Sequence, residues 1–155
     1  MRLEDEIKQK KFATQYEKLA VNILFTSSWL SGIHQKMLRP HGISPQQFNL
    51  LRILRGQHPN PASVGLLIDR MIDKMSNASR LVEKLRQKGL VERTECPSDR
   101  RRVDVVITDA GLKLLDDIAA DTAGFLGMMR TLSADEAQAA NDILDKLRDA
   151  EIPTT

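Results

Sequence analysis

Asp73-Lys74-Met75-Ser76-Asn77-Ala78-Ser79-Arg80-Leu81-Val82-Glu83-Lys84-Leu85-Arg86-Gln87-Lys88-Gly89 is the stretch on which the reading of this chain turns. Ala78, Leu81, Val82 and Leu85 recur at helical spacing and make one apolar stripe. Ser76, Asn77, Arg80, Lys84 and Gln87 fall on the other side, with no carboxylate among them. Side chains of these types can meet phosphates and base edges. Asp73 is placed to cap the helix start, and Gly89 to end it.

The period then changes. Leu90-Val91-Glu92-Arg93-Thr94 and Val103-Asp104-Val105-Val106-Ile107 are short and rich in β-branched residues, as strands are. Between them Glu95-Cys96-Pro97-Ser98-Asp99-Arg100-Arg101-Arg102 forms a turn that ends in three arginines. Helix, strand, basic loop and strand in this order predict a winged helix–turn–helix. One helix would enter a major groove, and the loop would reach phosphates or the adjacent minor groove.

Four fragments in register, Ser79-Arg80-Leu81-Val82, Lys88-Gly89-Leu90-Val91-Glu92-Arg93, Asp99-Arg100-Arg101 and Ile107-Thr108-Asp109-Ala110-Gly111, give the chain its resemblance to a known family. In order and spacing they resemble the MarR family of bacterial transcription regulators, and the flanking helices fit it too. The resemblance implies that Arg101 enters the minor groove from the wing and that Asp99 braces it. It also implies that the first and last helices pair two copies across a two-fold axis. A crevice between the helical base and the winged lobe would take a small phenolic or anionic effector. Trp29, His34, Arg39, His41 and Arg52 lie on the segments that would line it. For each of these five the plain alternatives of core, interface or solvated charge stand beside the ligand role.

Composition sets the frame. A chain of 155 residues, 41% hydrophobic, is long enough for one domain with a core. No apolar run approaches the roughly 18 residues that a membrane span needs. The opening Met1-Arg2-Leu3-Glu4-Asp5-Glu6 is charged, unlike a signal peptide, and a single cysteine suits a reducing compartment. A cytoplasmic location is expected. The net charge of +2 is unevenly spread. Residues 1–69 hold nine basic and five acidic side chains, 70–102 ten and five, and 103–155 four and eleven. Positive charge thus gathers where the motif would meet DNA.

The rest of the chain reads in sequence. Residues 4–39 predict one long helix whose stripe includes Tyr16, Leu19, Ala20, Ile23, Leu24, Leu30, Met37 and Leu38, ended by Pro40-His41-Gly42. At about 1.5 Å per residue such a helix outreaches a small lobe, which argues for a second copy covering its far end. Ser44-Pro45-Gln46-Gln47 combines an N-cap, a first-turn proline and a capping-box glutamine. Phe48, Leu51 and Leu54 face inward, and Gly56 closes this helix. Pro59-Asn60-Pro61 predicts a turn or short edge strand, and Ser63 caps a short helix from Val64 to about Met71. Met71-Ile72-Asp73 lacks the glycine common in such turns, which leaves the start of the next helix open. Thr108-Asp109-Ala110-Gly111 opens a helix carrying Leu112, Leu115, Ile118, Phe125 and Leu126, in which Gly124 and Gly127 permit a bend. Ser133-Ala134-Asp135-Glu136 opens a last helix with Ala140, Ile143, Leu144 and Leu147 inward.

Enzymatic signals are weak. His34, His41 and His58 lack metal-ligand spacing, and there is neither a glycine-rich phosphate loop nor a nucleophile elbow. No metal or cofactor is implied. Cys96 on the wing has no partner, and redox-sensing members of the family carry their reactive cysteine near the first helix.

The expected fold is therefore mainly α with a small β-hairpin wing, one domain over residues 1–155. A winged helix–turn–helix lobe spans 44–108, and a helical dimerisation region spans 4–39 and 109–150. Its expected partner is double-stranded DNA, bound as a homodimer at a pseudo-palindromic operator with half-sites about 34–36 Å apart. Ser76, Asn77, Ser79 and Arg80 are the candidates for bases or phosphates, and Lys74 and Lys84 for phosphates. Arg100 and Arg102 are as well explained by solvation as by contact. Repression is the default, with activation as the alternative. The rival from another class is a winged-helix protein–protein interaction module without DNA binding; a small-molecule-processing dimer is a third reading.

Overall fold

The computed structural model describes residues 1–96 and 99–149; for 95, 96, 99–102, 121–123 and 126 it describes the backbone alone. The chain divides into two compact units, Met1–Ala120 and Asp121–Thr155. Elements follow in the order α1 (Leu3–Glu6), α2 (Gln15–Leu38), α3 (Pro45–Gln57), β1 (Ala62–Ser63), α4 (Val64–Arg70), α5 (Ala78–Gln87), β2 (Val91–Cys96), β3 (Asp99–Ile107), α6 (Asp109–Met129) and α7 (Ala134–Arg148). A 3-10 turn, Arg39–His41, follows α2 and ends at Gly42, whose φ of 68° lies in the left-handed region. Among the described residues no helix is long and apolar enough to cross a membrane.

Local chemistry accounts for most boundaries. Ser44 and Gln47 close a reciprocal capping box at the start of α3, and Ser133 with Glu136 does the same for α7. Ser63 accepts from the Leu66 amide to start α4. Thr108 caps α6 through Gly111 N–H, and its hydroxyl donates to the Gly89 carbonyl at 2.8 Å. Gly89, at φ 69°, ends α5 in a Schellman motif, with Gly89 N–H to Arg86 O at 2.9 Å and Leu90 N–H to Leu85 O at 3.0 Å.

The three strands form an antiparallel sheet in the order β1-β3-β2. Ala62 pairs with Val105, and β2 runs from Val91 opposite Ile107 to Glu95 opposite Val103, with a register shift before Cys96. The hairpin is longer than the two apolar runs suggested, because pairing continues through polar residues that carry no hydrophobic signal. The core lies between this sheet and the helices, built from Leu38, Leu50, Leu51, Leu54, Leu67, Val82, Leu85, Val91, Val105, Leu115 and Ile118.

Four expectations are corrected. The first helix does not run unbroken from 4 to 39. Lys8 has φ 57°, and α2 begins afresh at the cap Thr14, which accepts from the Glu17 amide while Glu17 accepts from Ala13 N–H at 2.6 Å. The like charges of Lys8 and Lys11, three residues apart, oppose a helix through this segment. Gly56 does not close α3, which continues to Gln57. Asp73 does not cap α5; Asn77 does, four residues later, accepting from Arg80 N–H at 3.0 Å. The stripe on α7 is not inward within one chain, since Ile143 is 58% exposed; on α2, Leu38 is buried while Tyr16 at 84% and Leu24 at 71% are exposed, as a helix that outreaches its lobe requires.

Candidate nucleic-acid interface

Helix α5 is pinned on three buried residues, with Leu81 packed partly buried against the same core. Ala78, Val82 and Leu85 are buried in the core, which fixes the rotation of the helix. Asn77, Ser79, Arg80 and Lys84 are thereby turned outward and exposed, and Ser76 is half-buried just before the first turn. Arg80 forms no ion pair among the described residues, because the nearby carboxylate of Glu83 is taken by Arg86. That pair is bidentate, with Arg86 Nε and Nη2 donating at 3.0 and 2.8 Å, and Gln87 adds a bond at 3.2 Å. The Arg86 guanidinium holds the Glu83 carboxyl below the usual carboxylate range. The outward face of α5 thus keeps its cation uncompensated, an arrangement suited to a polyanion.

Seven residues, 71–77, join α4 to α5. Met71 is extended and buried, and it seats the loop in the core. Asp73 folds the loop into a knot: its carboxylate accepts from Ser76 Oγ at 2.9 Å and from Met75 N–H at 3.0 Å, and Gln46 of α3 lines the same cavity. Ser76 first, then the Met75 amide and Gln46, lower the Asp73 pKa from its ordinary value. Ile72 N–H donates to Asn49 Oδ1 of α3 at 2.9 Å. Lys74 reaches back to the carbonyl of Asp69 in the last turn of α4, and Lys88 to the carbonyl of Gly42. Two large apolar side chains stand among these polar groups, Ile72 at 86% exposure and Met75 at 93%. The loop is hidden in the sequence because Asp73 carries the same capping signal as Asn77, four residues later.

The β3 backbone carries Asp99, Arg100, Arg101 and Arg102 into the hairpin beside β2. The side chains of these four, and that of Cys96, lie outside the described residues.

The five residues considered for a ligand do not share one site. His34 and Arg52 line a cavity of about 460 Å³ with Ser27, Ser31, Phe48 and Asn49. There the His34 ring meets Phe48 edge-on at 5.4 Å, and the Arg52 guanidinium lies 5.9 Å from the Phe48 centroid. Burial, and secondly the charge of Arg52, lower the His34 pKa from its ordinary 6.5. Trp29 instead lines a cavity of about 260 Å³ with Leu3 and Phe25, and Arg39 an open cavity of about 650 Å³ with Lys36 and Gly42. His41, half-buried in the 3-10 turn, lines none of these three. Among the described residues no group of three His, Cys, Asp or Glu is placed to hold a metal.

Comparison with known proteins agrees with this geometry. The family model described as MarR family matches residues 41–102, which hold α3 to β2 and the first residues of β3. The HTH-type transcriptional regulator MhqR of Bacillus subtilis is 30% identical over 113 residues, 72% of this chain and 77% of that protein. The HTH-type transcriptional repressor MdtR of the same organism is 30% identical over 114 residues, 73% and 72% of the two chains. Among solved structures, a cysteine-to-serine mutant of MarR from Escherichia coli complexed with operator DNA superposes with a TM-score of 0.74 at 23% identity. That match covers 95% of this chain and 99% of the other.

Proposed function

The chain belongs to the MarR family, and on that premise we propose that it is a transcriptional regulator, a repressor by default, that grips operator DNA as a homodimer. The observation that carries the reading is the outward face of α5. Three buried residues hold it in place, and it presents Asn77, Ser79, Arg80 and Lys84 with no carboxylate among the described residues free to oppose Arg80. Asn77 and Ser79 offer hydrogen bonds to base edges, Arg80 a guanidinium to guanine or phosphate, and Lys74 and Lys84 positioning contacts to the backbone. Exposed Ile72 and Met75 suit thymine methyls at the border of the same surface. Arg100, Arg101 and Arg102, with Asp99, extend the contact from the wing into the minor groove or along its phosphates.

Support for two copies comes from apolar side chains that a single chain leaves in water: Tyr16, Leu19 and Leu24 on α2, and Ile143, Leu144 and Leu147 on α7. The domain roles follow, with residues 4–39 and 109–150 for dimerisation and 44–108 for DNA. A small phenolic or anionic effector is assigned to the cavity of His34, Phe48 and Arg52, with Trp29, Arg39 and His41 outside its wall. No catalytic step is assigned, and the compartment is the cytoplasm, where the DNA is.

Fluorescence anisotropy tests the reading, with the duplex upstream of its own gene and a scrambled duplex at two salt concentrations. Salt-sensitive binding with preference for the upstream duplex, weakened by Arg80→Ala, is the expected result. No binding even at low salt would leave the protein–protein module as the better account.

A further inference from the structure

Asparagine is a poor helix former, because its side chain competes for nearby backbone groups. Asn49 nevertheless occupies the middle of the 13-residue helix α3. Its side chain is not spent on its own helix. The Oδ1 atom accepts from the backbone N–H of Ile72 at 2.9 Å, a residue 23 positions away in the loop that leads into α5. Three residues earlier on α3, Gln46 lines the same cavity as Asn49, Ile72 and Asp73. One face of α3 therefore holds Ile72 by a hydrogen bond and stands beside Asp73. From there the connections are short: Asp73 holds Met75 and Ser76, and Asn77 caps the first turn of α5.

The loop has few anchors of other kinds. Met71 is buried at its start, but Ile72 and Met75 are almost fully exposed and add no packing. A loop whose side chains face water keeps its place by hydrogen bonds, and the bond from Asn49 is the first beyond the end of α4. It sits six residues ahead of Ala78, where α5 begins, so a change in the Ile72 amide passes directly into the entry of that helix.

We propose that Asn49 is a positioning residue for DNA recognition: from α3 it fixes the loop that sets where the first turn of α5 stands against the groove. The inference rests on the reading of α5 as the recognition helix. Asn49 touches no DNA in this scheme. It acts through Ile72 and the Asp73 knot on Ser76, Asn77, Ser79 and Arg80. Base contacts demand placement within a fraction of an ångström, whereas phosphate contacts from flexible lysines tolerate drift. Loss of the bond should therefore lower preference for the right sequence and spare general affinity.

The test compares the wild-type full chain with Asn49→Leu and Asn49→Asp in three measurements. The leucine variant keeps the shape and improves helix propensity while removing the acceptor; the aspartate variant keeps an acceptor oxygen at the same reach. Amide hydrogen exchange at Ile72 should accelerate about tenfold or more in Asn49→Leu and stay near wild type in Asn49→Asp. Binding of the upstream duplex should weaken roughly 3- to 10-fold in Asn49→Leu, the loss expected for one net hydrogen bond, with binding of a scrambled duplex unchanged within about twofold. Asn49→Asp should restore the preference, and the urea midpoint of Asn49→Leu should not fall. A leucine variant that keeps wild-type preference, or one that loses both duplexes and stability together, overturns the proposal. If wild-type protein itself shows no preference between the two duplexes, it is the DNA reading that has failed.

Discussion

Gly111→Ala should destabilise the protein even though it places a better helix former in the first turn of α6. By propensity alone, the replacement of a helical glycine by alanine stabilises by about 0.8–1.0 kcal/mol. The surroundings reverse the sign. A Cβ at position 111 would stand 2.4 Å from the Leu90 carbonyl oxygen and 2.7 Å from Ile107 Cγ1. Neither neighbour can swing aside. Leu90 O belongs to backbone and accepts from Thr108 N–H at 3.1 Å, and Ile107 is 4% exposed in the core. Relief requires the start of α6 to move off the β2–β3 base, which strains that bond and the Thr108 hydroxyl bond to Gly89. Overpacking of a tight core costs about 1–3 kcal/mol, and a strained hydrogen bond adds about 1 kcal/mol. The net expectation is a loss of roughly 1–3 kcal/mol after the propensity gain is subtracted. Urea unfolding at fixed protein concentration reads this as a lower midpoint at unchanged slope, and thermal unfolding as a fall of about 2–4 °C for each kcal/mol. Gly56→Ala in α3 is the control: nothing lies within 4 Å of its Cβ, so it should stabilise by about 0.5–1 kcal/mol. A Gly111→Ala protein as stable as wild type would refute the reasoning.

Arg101→Ala should weaken binding of the upstream duplex by about 1–3 kcal/mol, whereas Lys84→Ala should weaken all duplexes alike and lower the salt slope by about one; gel-shift titration at several salt concentrations separates the two. Asn77→Ala removes the cap of α5 and should cost about 1 kcal/mol of stability by urea unfolding, with a loss of DNA preference beyond that of a helix cap elsewhere such as Ser133→Ala. His34 has a folded pKa below its ordinary 6.5, so the unfolded chain binds its proton more tightly. Stability should therefore decline as pH falls below about 6.5, level off once the folded pKa is passed, and be independent of this group above 7; His34→Gln should flatten that part of the curve.

Most of the winged lobe was legible because its signals are local. Ser44, Ser63 and Ser133 cap helices through their own next turn, and Gly89 ends α5 through a backbone angle that glycine adopts at little cost. β-Branched residues in Val103–Ile107 marked β3, but the hairpin's further reach through Glu95 and Asp99 depends on pairing between strands, which leaves no trace in either strand alone. The break at residues 7–14 had a visible sign in Thr14-Gln15-Tyr16-Glu17, a capping pattern overridden by the longer apolar stripe. For the candidate site, Arg80 and Lys84 were found because a stripe fixes which side faces out. Asn49 was not, since its partner lies 23 residues away.

The order of apolar and polar residues along this chain was enough to specify a helix, its orientation and the hairpin after it, since each follows from contacts within a few residues. Only the folded molecule decided that Asp73 knots a loop instead of opening a helix, that Asn49 holds that loop, and that His34 and Arg52 share a cavity which Trp29 and Arg39 do not. Those outcomes turn on which distant segments pack together, and packing satisfies a polar group with whichever partner it brings within 3 Å, near in sequence or far.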